Sequence, residues 1–96
     1  MSKGYWLAVY KTIHDADRLA KYAEQAGVAI TENGGVFLAR GMPEAMLEGD
    51  QPTRTVLIEF PSAEAAMNAY GSDSYKKALV ILGDAADRDI RVLKGL

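Results

Sequence analysis

Two arginines and two glutamates stand within otherwise apolar stretches of the sequence, and they are the side chains whose types and spacing favour chemistry. They are Arg40, Glu48, Arg54 and Glu59. Charge that is buried in a sheet costs free energy unless it meets a partner or a ligand. A guanidinium offers bidentate hydrogen bonding to planar anions, so we expect Arg40 and Arg54 to form a fork for a carboxylate or phosphate. The alternative is an Arg–Glu pair that fixes a hairpin or a contact between two copies of the chain, with Glu48 within reach of Arg54.

The spacing of the two arginines predicts that they share one face of this hairpin. Arg40 follows Val36 and Leu38 at steps of two residues. Arg54 precedes Val56 and Ile58 at the same steps. Side chains two residues apart on a strand point to the same face. We therefore expect both arginines inside one cavity, together with Glu48.

Candidate catalytic groups are few. His14 is the only histidine and precedes Asp15, and a histidine that is oriented by a carboxylate acts as a general base. The alternative is an exposed histidine at a strand-to-helix junction, with Asp15 as a helix N-cap. Glu59, or Tyr75 acting with Arg54, are the other candidates for proton transfer.

Aromatic residues are the remaining candidates for ligand contact. Tyr70 and Tyr75 flank the break Gly71–Asp73, and phenols hydrogen-bond to oxygen-rich ligands. We expect these two tyrosines to line the mouth of a cavity, the alternative being the hydrophobic core. For Trp6 and Tyr22, core or interface is the favoured interpretation.

Composition excludes several classes of function. There is no cysteine and one histidine, so the sequence predicts no metal site, and no glycine-rich nucleotide motif indicates a cofactor. The formal net charge of −2 predicts no attraction to nucleic acid or to an anionic membrane. Without an apolar run of about 20 residues or a secretory leader, we expect a cytoplasmic protein.

Hydrophobic periodicity predicts the elements that would position these residues within a single domain spanning residues 1–96. The predicted strands are 5–10, 36–39 with a resumption at 45–48, 53–60 and 89–93, and the predicted helices are 15–32 and a second one from Ser62 that is broken at 71–73 and resumes to Leu82. In the second helix, Tyr70 is expected to point inward.

The order β-α-β-β-α-β predicts an α+β, ferredoxin-like fold, in which a four-stranded antiparallel sheet carries its helices on one face. Three predicted strands are apolar on both faces, so the helices leave one apolar face uncovered. A second copy of the chain would cover it. The sequence therefore predicts a homodimer through the open sheet face, with a cavity between the two sheets.

The sequence resembles the DUF1330 family over nearly its whole length. The segments that carry the resemblance are Lys3–Trp6, Asn33–Gly41, Leu47–Asp50, Arg54–Ser62, and Tyr70 with Ser74–Tyr75. The resemblance implies the dimeric α+β barrel superfamily, whose members include cofactor-free monooxygenases, isomerases and ligand-binding modules, and it implies no particular reaction. The family often carries an arginine near position 82, where this chain has leucine. If that arginine helps to hold a ligand, this chain either lacks the basic group or supplies it from Arg88.

Three hypotheses follow for the function. The first is binding of a small anionic or aromatic organic ligand in a cavity associated with the dimer. The second is a cofactor-free isomerase or monooxygenase-like enzyme. The third is a dimer whose cavity is filled by its own side chains.

Overall fold

A computed structural model describes residues 2–96 of the protein as one sheet with helices on one side. The elements are β1 (Gly4–Ile13), α1 (Ala16–Glu32), β2 (Val36–Gly41), β3 (Thr55–Phe60), α2 (Ala63–Tyr70), α3 (Asp73–Leu82) and β4 (Ala86–Lys94). All strand pairs are antiparallel, and the strand order is β2-β3-β1-β4. The predicted α+β, ferredoxin-like fold is confirmed, with the second helix divided in two. β3 begins two residues later than expected, and β4 is longer than expected.

Side-chain caps explain where the helices begin. The backbone N–H of Arg18 donates to the Asp15 carboxylate over 3.0 Å, and that of Ala65 donates to the Ser62 hydroxyl over 3.0 Å. Each cap satisfies a backbone donor that has no partner within its helix. Gly34, with a φ of +85°, turns the chain beyond the end of α1.

The helix-facing side of the sheet contains the core. In β1, Trp6, Ala8 and Tyr10 are buried, whereas the alternate residues are half-buried on the open face. The rings of Trp6 and Tyr75 pack edge to face with centroids 5.1 Å apart. Gly4 lies against the backbone at the start of α2, where β1 passes it. An added Cβ at Gly4 would be 2.3 Å from the Ser62 carbonyl oxygen.

A β-bulge at Leu38 changes the predicted faces of β2. Phe37 pairs with Ile58, but Ala39 pairs with Leu57 and Arg40 with Val56. Leu38 is the extra residue, so side chains beyond it point to the face opposite the one that strict alternation gives. Arg40 therefore faces the helices, whereas Val36 faces away from them. The expectation that Arg40 shares a face with Val36 and Leu38 was wrong.

The segment between β2 and β3 contains no strand. Residues 45–48, where a resumption of the second strand was expected, have an irregular backbone with a bend at 47–48 instead. Pro43 and Gly49, the latter with a φ of +113°, disfavour regular pairing there. The Leu47 side chain extends into solvent, with 93% of its surface exposed. The segment starts directly after β2 and ends at Arg54.

The helices among residues 2–96 differ from membrane-spanning helices in length and apolarity. None of them has the length and apolarity that crossing a bilayer requires.

Candidate functional site: an arginine-lined pocket

A pocket lies between α1 and the helix-facing side of the sheet, and we call it the arginine pocket. Its walls are mainly apolar, and its charged lining residues are all arginines: Arg40, Arg54 and Arg88. The apolar and aromatic lining includes Trp6, Tyr10, Tyr22, Phe37, Val56 and Ile58. A mainly apolar cleft with a few convergent polar groups is the usual form of a small-molecule site.

Each arginine reaches the pocket from a different strand or strand end. Arg40 belongs to β2, and its guanidinium carbon lies 5.0 Å from the centre of the Phe37 ring. Arg54 immediately precedes β3, and its carbonyl oxygen accepts a hydrogen bond of 2.9 Å from the Tyr10 backbone N–H. Arg88 is opposite Tyr10 in the pairing of β4 with β1.

Arg88 is held by three phenols. Its Nη1 donates to the Tyr22 hydroxyl at 2.7 Å and points to the Tyr10 hydroxyl at 3.5 Å, and its Nη2 donates to the Tyr75 hydroxyl at 3.1 Å. The Tyr22 and Tyr75 hydroxyls are hydrogen-bonded to each other at 2.5 Å. The guanidinium also lies over the Tyr22 ring, 4.7 Å from its centre. This network fixes the orientation of a half-buried cation.

Burial keeps the two phenols neutral. Loss of solvation raises the pKa of Tyr22 above its ordinary value of 10.0, and Tyr75 raises it further, against the lowering influence of Arg88. Burial likewise raises the pKa of Tyr75. For Arg88, burial alone lowers the pKa, but the oxygens of Tyr22 and Tyr75 more than compensate, so that its pKa lies above its ordinary value. The cluster therefore carries one positive charge at neutral pH.

No carboxylate neutralises this charge. The ion pairs within residues 2–96 are Lys3–Glu59, Lys11–Asp89, His14–Asp87, Arg18–Asp84 and Arg91–Asp89. None of them involves an arginine of the pocket. Among the described residues, Arg40 and Arg54 therefore form no ion pair with a glutamate.

The arginine pocket is narrow. Its cavity volume is about 40 Å³, and each water molecule needs about 10–15 Å³ on this measure. The space accommodates a few water molecules or a small group. A ligand with several fused rings would need the walls to move.

The structure separates the other predicted site residues from this pocket. Glu48 is exposed in the segment between β2 and β3. Glu59 lies on the open face of the sheet, where its carboxylate is 3.1 Å from the Lys3 ammonium. His14 is exposed in the short connection between β1 and α1, and its Nε2 is 2.9 Å from the Asp87 carboxylate. None of the three lines the arginine pocket.

The two tyrosines that were expected at a cavity mouth have different environments. Tyr75 is fully buried in the core, and its hydroxyl reaches only the Arg88 cluster. Tyr70 lies at the last position of α2 and is 43% exposed, while its ring packs against Trp6 and Tyr75 with centroids 5.7 and 5.2 Å away. It lines a second cavity, the α2–β4 groove, of about 400 Å³, which is lined by Trp6, Met67, Tyr70, Arg88, Ile90 and Val92.

Arg88 is the site residue that the sequence interpretation did not rank as ligand-binding. It lies between Asp87 and Asp89, and this run of charges is typical of a solvated surface. The signal that identifies it is the alternation of Arg88 with Ile90 and Val92, which places all three on one face of β4.

Among the described residues, no three His, Asp or Glu side chains come close enough together to hold a metal ion.

Comparison with known proteins identifies the family. The family model described as Domain of unknown function (DUF1330) matches residues 3–96. The chain belongs to the DUF1330 family. The predicted resemblance is thereby confirmed. A search of curated proteins found no match to this DUF1330 chain.

Solved structures share the fold of this DUF1330 chain. A protein of unknown function from Rhodopseudomonas palustris superimposes with a TM-score of 0.80 at 21% identity, covering 99% of this chain and 83% of the other. SnoaB, a cofactor-independent oxygenase from Streptomyces nogalater, gives a TM-score of 0.67 at 10% identity, covering 97% and 92%. A dimeric protein of unknown function with a ferredoxin-like fold, from Bacteroides fragilis, gives 0.55 at 13% identity, covering 96% and 95%. At these identities the likeness establishes the fold alone.

Proposed function

We propose that this protein binds a small organic carboxylate in the arginine pocket. The observation that supports the proposal is the convergence of Arg40, Arg54 and Arg88 on one cleft whose lining has no carboxylate. A half-buried cation without an anionic partner gains free energy when an anion replaces the water around it. A bound carboxylate would complete the charge balance of the site.

The charge and the volume of the pocket define the class of ligand. Arg88 is fixed by hydrogen bonds to Tyr22 and Tyr75, so it is pre-organised and loses little conformational entropy on binding. The cavity volume of about 40 Å³ favours an acid of a few carbon atoms. Arg54 is half-buried and Arg40 is exposed, so we assign Arg54 to ligand contact and Arg40 to the entrance.

Catalysis by proton transfer has less support than binding. Enzymes of this fold include SnoaB, a cofactor-independent oxygenase. In this chain, however, the residues that line the pocket include no histidine, aspartate or glutamate. The phenols beside it have raised pKa values and remain protonated at neutral pH. The lining therefore offers positive charge but no general base.

Titration with acetate and pyruvate tests the binding proposal. We expect saturable binding, observed through the indole N–H resonance of Trp6, which is the only tryptophan and lines the pocket. Arg54→Ala is expected to weaken binding about tenfold, because a hydrogen bond to a charged group is lost. Lys77→Ala removes the same charge from the exposed surface of α3 and is expected to have little effect. Equal effects of the two variants would contradict the proposal.

We also propose that two copies associate through their open sheet faces. The side chains on this face include Tyr5, Leu7, Val9, Val36, Leu57 and Leu93. Val36 and Leu93 are 56% and 54% exposed, and the ion pairs Lys3–Glu59 and Lys11–Asp89 lie beside the apolar middle. An apolar surface with a charged border is typical of an interface. The Bacteroides fragilis protein of the same fold is described as dimeric, which supports the proposal.

A further inference from the structure

The α2–β4 groove is a second cavity, and it differs in kind from the arginine pocket. It is about ten times larger, with a volume of about 400 Å³ against about 40 Å³, and it is open to solvent along α2. Trp6 and Arg88 line both cavities. The other groove residues are two exposed side chains of α2, Met67 and Tyr70, and two half-buried side chains of β4.

We propose that the α2–β4 groove binds a flat aromatic carboxylate, with its ring against Met67 and Tyr70 and its carboxylate on Arg88. This site is separate from the one proposed for small acids, although the two share Arg88. The proposal therefore does not require the arginine pocket to bind a ligand.

The aromatic preference comes from the side chains that form the groove. The Tyr70 ring packs against Trp6, with centroids 5.7 Å apart at an angle of 46°, so the core holds Tyr70 in place at the wall of the groove. Met67 is 56% exposed and Tyr70 43% exposed. A flat ring laid against these two side chains would cover apolar surface and would contact the phenol ring and the methionine sulfur.

The preference for an acid comes from the N–H donors of Arg88 that the three phenols leave unused. A guanidinium has five N–H donors, and hydrogen bonds or close contacts direct three of them to phenol oxygens. The Nε–H and one Nη2–H remain, which suffices for a single carboxylate. No carboxylate among residues 2–96 takes this position.

Sharing of Arg88 has a measurable consequence. The two remaining N–H donors of Arg88 can bind only one carboxylate. An acid in the groove and an acid in the arginine pocket that both use Arg88 therefore exclude each other. Acetate is therefore expected to compete with an aromatic acid for the groove. A neutral aromatic molecule would use the rings but leave the guanidinium unpaired, so it should bind more weakly.

The probe for the groove is 2-naphthoate, titrated into the full chain by calorimetry and by NMR of the methionine methyl groups. We expect saturable binding that shifts the Met67 methyl resonance, which Met67→Leu assigns. The uncharged analogue 2-naphthalenemethanol has the same ring system and is expected to bind about tenfold more weakly, since it lacks the charged hydrogen bonds.

Two matched variants test the location. Met67→Trp fills the groove from an exposed helix position and is expected to lower the affinity for 2-naphthoate about tenfold. Val80→Trp places the same side chain at a position of α3 that is 77% exposed and outside the groove, and it is expected to leave the affinity unchanged. If Met67→Trp does not fold, the Met67 methyl shift in the unaltered chain decides the location.

The proposal is overturned if 2-naphthoate does not bind, if the Met67 methyl resonance stays unchanged, or if the neutral analogue binds equally well. Arg54→Ala separates this result from the function proposed for the arginine pocket. Arg54 does not line the groove, so Arg54→Ala should weaken acetate binding and leave 2-naphthoate binding unchanged. Each site can therefore fail without the other.

Discussion

The Nη1 of Arg88 lies 2.7 Å from the Tyr22 hydroxyl, and this contact joins the edge strand β4 to helix α1 across the core. It is one of three contacts by which phenols orient a guanidinium that no carboxylate balances. The same network that stabilises the fold therefore presents the positive charge to both cavities.

Removal of the Tyr22 hydroxyl is expected to destabilise the protein. Tyr22→Phe deletes the oxygen that accepts the shortest Arg88 hydrogen bond, and a buried hydrogen bond to a charged group contributes about 2 kcal/mol. Urea unfolding should show this loss in the free energy of unfolding. Tyr5→Phe, on the open face, is the matched control and should have a small effect. A loss of the same size in both variants would contradict the role given to the cluster.

Stability is expected to fall at alkaline pH. Tyr22 and Tyr75 have raised pKa values in the folded protein, so the unfolded chain releases their protons first as the pH rises through about 10. The stabilising effect of the neutral phenols is thus complete below pH 10 and is lost above it, with a slope of about 1.4 kcal/mol per pH unit for each phenol. Urea unfolding between pH 8 and 11 measures the slope. It should be shallower for Tyr22→Phe, and an unchanged slope would refute the assignment.

A methyl group at Gly4 is expected to disrupt the contact between β1 and α2. In Gly4→Ala the new Cβ would lie 2.3 Å from the Ser62 carbonyl oxygen and 2.4 Å from the Ala63 nitrogen, both backbone atoms that cannot rotate away. We expect a loss of about 3 kcal/mol.

The matched control for Gly4 is Gly27 in α1. An added Cβ there meets no atom within 4 Å, so Gly27→Ala should stabilise the helix by about 0.5–1 kcal/mol. Thermal unfolding of the two variants gives the comparison. Similar melting temperatures would show that the close approach at Gly4 is not a constraint on the fold.

A charge in the open sheet face is expected to separate the proposed dimer. Leu57 lies on this face opposite Leu7 and Ala39, near the middle of the sheet. Leu57→Lys would bury an unpaired ammonium between the two sheets, which costs more than the apolar contact gains. Sedimentation velocity should show a dimer for the unaltered chain and for Val80→Lys, and a monomer for Leu57→Lys. A monomeric unaltered chain would remove the dimer proposal.

Periodicity predicted most of the fold because each element has a clear pattern. The continuous run of strand-forming residues Tyr5–Tyr10 identified β1, and the caps Asp15 and Ser62 located the helix starts. The expected strand at 45–48 was wrong because a short apolar run carries no information about a pairing partner. The structure has only irregular backbone and a bend there.

The candidate site was harder to predict because it depends on register. Arg40 and Arg54 line one cavity under α1, whereas the predicted cavity lies between two sheets and includes Glu48. The bulge at Leu38 decides this for Arg40, and a single inserted residue leaves little trace in an apolar run. The contact of Arg88 with Tyr22 and Tyr75 joins residues that are 66 and 13 positions apart. Local sequence patterns do not indicate contacts between residues so far apart in the sequence.

The bulge in β2 also determines on which side of the molecule a cation is presented. If the same six residues formed a regular strand from Phe37 onward, Arg40 would pair with Thr55 and extend over the open face. The entrance of the pocket would then lack its guanidinium, and the surface offered to a second copy would gain a charge. One unpaired leucine thus keeps the proposed ligand pocket and the proposed dimer face on opposite sides of a single layer of strands.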